Sequence, residues 1–201
     1  ELREYTGVII SEADRLQNLV DRLLAPYRTG RSLSDINIHE VLERVRQIIL
    51  AEFPKGLSFI RDYDVSVPTL RGDREQLLQV FLNIEKNAAE ALDGKIAEGT
   101  AEIRVITRVA QQVQIGLRRY RLALSIHIQD NGPGVPPEIR DRIFYPLVTG
   151  KANGSGLGLS LAQNFIRQHD GSIDVESEPG KTDFRILLPL SPPETGDISP
   201  A

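Results

Sequence analysis

Between residues 37 and 190 helical and strand patterns interleave, and this alternation limits the possible folds more than any other property of the chain. Residues 103–109 and 122–129 alternate apolar and polar side chains, as the half-buried strands of a hairpin do. Residues 57–63, 172–176 and 184–190 read as further strands. Three helical patterns lie among them. One spans 38–53, opened by a cap at Asn37 and stopped by Pro54 and Gly56. A second runs from Asp73 to Leu92, with Leu77, Leu78, Phe81, Leu82, Ile84, Ala88 and Ala89 on a broad apolar face. A third covers 156–169. Hairpins demand antiparallel pairing, so the pattern predicts an α/β (α+β) two-layer sandwich, a mixed, largely antiparallel sheet covered on one face by three helices. Arg118, Arg119, Tyr120 and Arg121 read as a solvated hairpin tip.

The flanks differ in character. Leu2, Thr6, Ile9, Ala13, Leu16, Val20 and Leu23 recur in steps of four and three, a heptad seam that asks for a partner helix along residues 1–25. Residues 26–36 follow as a linker carrying Pro26 and Gly30, the domain proper is expected over 37–190, and 191–201 read as a flexible, Pro-rich tail. The chain opens at Glu1 without Met or a signal-like stretch, which is the expectation for a piece of a longer cytoplasmic protein.

Charge and composition remove several classes of function. Lys and Arg number 24 against 28 Asp and Glu, a formal charge of −4, so there is no chain-wide basic field to hold nucleic acid. A phosphate ligand would need a local site. With no Cys, disulfides, thiolate nucleophiles and Cys-ligated zinc are excluded. His39, His127 and His169 lie too far apart for metal-ligand spacing, and no apolar run reaches the ~20 residues of a spanning helix.

Three segments carry chemistry. Gly154, Ser155, Gly156, Leu157 and Gly158 open a helix, where free backbone N–H groups and the positive end of the helix dipole suit phosphate. The run is neither a Walker A loop nor a dinucleotide fingerprint, and such glycines also serve plain turns. Asp130, Asn131, Gly132, Pro133 and Gly134 follow a strand. A carboxylate there suits an exocyclic amine such as adenine N6, although D-N-G sequences also make simple turns. Asn83 and Asn87 lie one turn apart on a helix that also offers Lys86 and Glu90. A neutral amide oxygen there can complete a Mg²⁺ shell of phosphates and waters, or simply hydrogen-bond at a surface.

Taken in order, L-N-I-E-K-N-A-A-E-A, D-N-G-P-G, F-Y-P-L-V-T-G-K, G-S-G-L-G-L and H-D-G-S-I-D-V-E-S-E-P-G-K-T-D-F-R-I-L-L-P resemble the N, G1, F and G2 boxes and terminal strands of the sensor histidine kinase ATP-binding domain, a Bergerat fold shared with gyrase-type and Hsp90-type ATPases. The resemblance covers nearly all of 37–190 and is closest to the nitrogen-regulation kinase family, NtrB or NRII. It implies ATP or ADP with Mg²⁺ as ligands. Asn87 is then the Mg²⁺ ligand and Asn83 its neighbour facing the phosphates. Lys86 and Lys151 neutralise the triphosphate. Asp130 is the adenine carboxylate with Gly132 and Gly134 as its turn, Thr182 holds adenine through water, and Gly154, Gly156, Leu157 and Gly158 form the lid. The chain departs from the common G-x-G-T-x-F at Pro179-Gly180-Lys181-Thr182-Asp183-Phe184, with Lys181 in place of a glycine.

The resemblance further implies a protein-histidine kinase in a two-component system, cytoplasmic and homodimeric when complete, with residues 1–25 as the second helix of its dimerisation hairpin. Its phosphoryl group would go to a histidine on the absent first helix and then to an NtrC-like response regulator, with a PII-type protein turning output toward dephosphorylation. No catalytic residue is assigned, because His39, His127 and His169 stand outside the acceptor motif. The alternative is a gyrase- or Hsp90-like ATP hydrolase driving protein clamping. Those enzymes place a general-base Glu four residues before the magnesium Asn, where this chain has Asn83.

Overall fold

The computed structural model describes residues 32–150 and 154–194. The heptad seam, residues 26–31 of the expected linker, Lys151 and residues 195–201 lie outside them. In chain order the elements are β1 (Leu33–Ile36), α1 (Ile38–Glu52), β2 (Leu57–Tyr63), β3 (Leu70–Asp73), α2 (Arg74–Ala91), α3 (Asp93–Glu98), β4 (Ala101–Ile115), β5 (Arg118–Asp130), α4 (Pro137–Arg140), α5 (Gly158–Gln168), β6 (Ser172–Glu178) and β7 (Lys181–Pro189).

Five strands form the main sheet in the order β2-β4-β5-β7-β6. The pairs β4–β5, β5–β7 and β6–β7 are antiparallel, and β2–β4 is parallel because the chain crosses between those strands through α2. One sheet face points Ile103, Val105, Ile126, Ile128, Phe184 and Ile186 into the core, where α1 meets them with Val41, Val45 and Ile49, α2 with Leu77, Phe81 and Ile84, and α5 with Phe165 and Ile166. On the other face the register sets Arg104, Gln129, Asp183 and Glu176 in one row. Covering one face only is what makes the strands alternate, and the expected sandwich is the one observed.

The helix starts follow their caps. The Asn37 side chain accepts the His39 N–H, and Asp73 accepts those of Glu75 and Gln76. His169 ties the two ends of the helical layer together: its Nδ1 donates to the Phe165 carbonyl at 2.7 Å, while Nε2 accepts the Asp73 N–H at 2.9 Å. That pattern fixes the neutral ring with its proton on Nδ1.

Four expectations about boundaries are corrected. Residues 33–36, expected as linker, form β1, which pairs antiparallel with β3 in a small separate sheet. Residues 118–121 are not a hairpin tip: they belong to β5, the turn lies at Gly116 and Leu117, and Tyr120 is buried with Ile115 and Ala123. The start of the expected tail is held, since the Ser191 hydroxyl donates to the Leu122 carbonyl, Pro193 bridges to Tyr120 and the Glu194 N–H reaches the Arg119 carbonyl. The third main helix starts at Gly158 rather than Gly156, because Gly156 takes a left-handed φ of +66° that no helix accommodates. The short helices α3 and α4 had no apolar period long enough to announce them.

Candidate functional site

The end of β5 places Asp130 directly opposite Thr182 on β7, both buried. Asp130 Oδ1 accepts the Gly132 N–H at 2.9 Å. Burial raises the carboxyl to about 6, and the Gly132 N–H works against that rise. The turn beyond is shaped by close approach. A side chain at Gly134, with its φ of +85°, would run into the Glu178 carbonyl, so glycine is required there. The hydroxyls of Ser177 and Thr182 meet at 3.0 Å, and the Val135 N–H donates to Ser177. Asn131 is spent on structure, bonding the Thr100 carbonyl and the Glu102 N–H. The β6–β7 turn is anchored to this loop, the Gly180 N–H donating to the Gly132 carbonyl at 2.8 Å. Gly180 carries the left-handed residue of that turn at φ +91°, so Lys181 opens β7 as an ordinary strand residue and its departure from glycine costs nothing.

On α2 the expected residues separate. Asn83 takes a hydrogen bond from Gln79 Nε2 at 2.8 Å and donates from Nδ2 to the Gly158 carbonyl at 2.9 Å. Its amide thus joins α2 to α5 rather than standing free toward phosphate, as the resemblance implied. Asn87, half-buried one turn further along, takes no hydrogen bond from any other described residue, and its amide oxygen suits a Mg²⁺ shell completed by phosphates and water. Lys86 is drawn to α1, where Nζ pairs with Glu52 at 2.7 and 3.0 Å. With no nucleotide present, its charge is met by Glu52 on α1. Glu85 is fully buried and acts on Glu43 and Tyr63, away from the Asn83 and Asn87 face.

The lid is a loop tied at its base. The Leu147 N–H donates to the Gly156 carbonyl at 2.9 Å, and a Cβ at Gly156 would lie 2.5 Å from the Leu147 carbonyl carbon. This contact demands glycine in the second position of the run. Leu157, buried, precedes the first turn of α5, which among the described residues has no side-chain cap, and the N–H groups of such a helix start suit a phosphate ligand. Gly154 precedes this turn, and Gly158 starts it against Asn83.

The structure therefore brings Asp130, Gly132, Gly134 and Thr182 together at one end of the sheet, and Asn83, Gly156, Leu157 and Gly158 together where α2 meets α5. Sequence reasoning missed Gln79, Ser177 and Gly180. Gln79 had a readable signal, four residues before Asn83 on the same helical face. Gly180 stood in the P-G-K-T-D-F motif beside Thr182, whereas Ser177 had no signal, because strand register alone sets it opposite Thr182.

Residues 72–192 match the family described as histidine kinase-, DNA gyrase B-, and HSP90-like ATPase. The sensory histidine kinase/phosphatase NtrB of Salmonella typhimurium is 50% identical over 189 residues, 94% of this chain and 53% of that protein. This chain thus spans about half the length of the curated relatives it matches. Among solved structures, full-length ShkA in complex with AMPPNP superposes with a TM-score of 0.70 at 24% identity over 94% of this chain and 39% of that one. Histidine kinase ThkA in complex with the response regulator protein TrrA gives 0.67 at 23% identity over 96% of this chain and 52% of that one. At these identities the two structures speak to the fold, and it is the same fold. Since the family match takes in β5, the lid and both terminal strands, the chain belongs to the histidine kinase-, DNA gyrase B- and HSP90-like ATPase family.

Proposed function

We propose that this chain is the ATP-binding catalytic region of a sensor histidine kinase of the nitrogen-regulation type. It binds Mg-ATP with adenine at Asp130 and Thr182 and the phosphates at the α5 N-terminus. Asn87 holds Mg²⁺, which supplies charge neutralisation at the phosphates. A histidine imidazole from a separate acceptor helix attacks the γ-phosphorus, the bond to the β-phosphate oxygen breaks, and ADP leaves. The protein's share is to position the triphosphate and to shield its charge. In the whole protein the phosphoryl group passes to an aspartate of an NtrC-like response regulator, a PII-type protein shifts output toward dephosphorylation, and residues 1–25 serve a homodimer. Among the described residues no helix is long and apolar enough to cross a membrane.

The observation that carries this reading against hydrolysis is Asn83. It occupies the place of a hydrolase's general base, and its amide is already spent on Gln79 and Gly158. The next acid along the helix, Glu85, is buried toward Glu43. A positioned base is worth ~10²–10⁴ in rate, so ATP hydrolysis by the chain alone is expected to be very slow. The test mixes this chain with a separately made acceptor-helix fragment and labelled ATP. Acid-labile phosphohistidine on the fragment with little phosphate release supports the kinase. Rapid release without transfer selects the hydrolase.

The metal assignment is tested separately. With Asn87→Ala, the gain in ATP affinity that Mg²⁺ provides is expected to shrink about tenfold or more, because a direct oxygen ligand is gone. An unchanged magnesium titration removes Asn87 from the site.

A further inference from the structure

We infer that Gln79 is a positioning residue for the nucleotide: it braces the Asn83 amide that ties the first turn of α5 to α2, and so holds the N–H groups of that turn toward the phosphates. The inference rests on the nucleotide site proposed above.

A terminal amide has two ends that differ only in hydrogen-bonding sense, and its partners decide which way it sits. Asn83 faces the Gly158 carbonyl, a group that can only accept, and Nδ2 donates to it at 2.9 Å. Its other end faces Gln79, which presents Nε2 to Asn83 Oδ1 at 2.8 Å. The Gly158 carbonyl can only accept and so fixes the sense of the Asn83 amide, and the Gln79 amide, with its donor turned toward Asn83 Oδ1, braces it there. Gly158 is the first residue of α5, and among the described residues that helix start has no side-chain cap, so the Asn83 bond is a side-chain tie that holds this end of the helix to α2. A second tie, from Gln76 Nε2 to Gln168 Oε1 at 3.0 Å, holds the opposite end of α5. Gln79 therefore governs the end of α5 that faces the ligand and leaves the far end anchored.

A decisive substitution is Gln79→Glu, nearly isosteric but ionised at neutral pH and then without a donor. Asn83 must turn Nδ2 toward it, and two acceptor oxygens then face one another at Gly158. Mg-ATP affinity is expected to fall about tenfold while adenosine, which uses Asp130 and no phosphate contact, binds as in the parent. Lowering the pH protonates the introduced carboxylate and restores a donor, so the variant's ATP-to-adenosine affinity ratio should climb back toward the parent's ratio at the same pH. Gln79→Ala removes the bracing donor without adding repulsion and should give a smaller loss with the same selectivity. Equal loss of ATP and adenosine, or a ratio unmoved in both variants, overturns the positioning role. If the unmodified chain itself fails to bind ATP, the nucleotide site is what fails.

Discussion

Asp130→Asn is expected to weaken ATP and ADP binding by about 1–3 kcal/mol, roughly 5- to 150-fold, while making the ligand-free protein more stable. Both effects come from the same burial. The carboxyl sits 6% exposed, its Oδ1 holding the Gly132 N–H, and burial raises it from 3.8 to about 6. An ionised carboxylate offers adenine's amine an acceptor with no competing donor, whereas Asn can turn an NH₂ group toward it. The pH dependence separates the two effects by sign. Because the folded carboxyl sits above its unfolded value, its contribution to ligand-free stability is fully present below about 3.8. That contribution is lost as pH rises through about 6, a change of about 3 kcal/mol. Nucleotide binding runs the other way, strengthening as the group ionises. Thermal melts at pH 5 and pH 7.5, with and without ADP, measure both. The parent should gain more from ADP at the higher pH, and Asp130→Asn should show little difference between them. A variant that binds as tightly as the parent would move the adenine site elsewhere.

Glu85→Leu is expected to raise the melting temperature by several degrees and to remove most of a pH dependence that the parent shows. Glu85 is wholly buried, neither oxygen is hydrogen-bonded among the described residues, and it lies close to Glu43 and Tyr63. One Glu43 oxygen is held by Arg46 and Arg61, each at 3.3 Å, whereas Glu85 has no such partner among the described residues. Burial first, and then the Glu43 charge, push the Glu85 carboxyl well above its usual range. Its stabilising contribution is thus complete below about 4.5 and is lost as pH rises through the raised folded value. An apolar side chain avoids that loss, and replacing buried ionisable groups in this way is worth up to about 1–4 kcal/mol. At roughly 2–4 °C per kcal/mol, melts at pH 5.5 and 8.5 resolve it. Glu85→Gln, neutral at every pH, should share the flattened profile. Parallel pH profiles for the parent and both variants would show that Glu85 does not titrate in this range.

The divergent fates of Asn83, Lys86 and Asn87 mark where reading along the chain stops. The spacing of three and four residues placed all three on α2 and near one another. Which side chain turns toward which neighbour is decided by what other elements present: Glu52 on α1 draws Lys86 aside, the Gly158 carbonyl on α5 captures Asn83, and among the described residues Asn87 is left with its amide uncommitted. Neither Glu52 nor Gly158 is a neighbour of α2 in sequence.

Helix starts at Asn37 and Asp73, the alternation of the sheet strands, its single covered face and the carboxylate at the end of β5 were all legible from residues alone. Each depends on local backbone chemistry or on a period of two or about four residues. Strand β1, the burial of Tyr120, the tether of residues 191–194 and the meeting of Thr182 with Asp130 were settled by long-range packing, because each needs a partner 30 or more residues away. A short polar segment such as 33–36 has no period of its own and becomes a strand only when β3 offers an edge. Residue order therefore specified the three main helices, the strands of the main sheet, the fold class and the kinds of group at the site. Packing between elements chose which of those groups remain free to meet a ligand, since a polar side chain takes the best partner within reach and leaving it unpaired in the interior costs more than any local preference supplies.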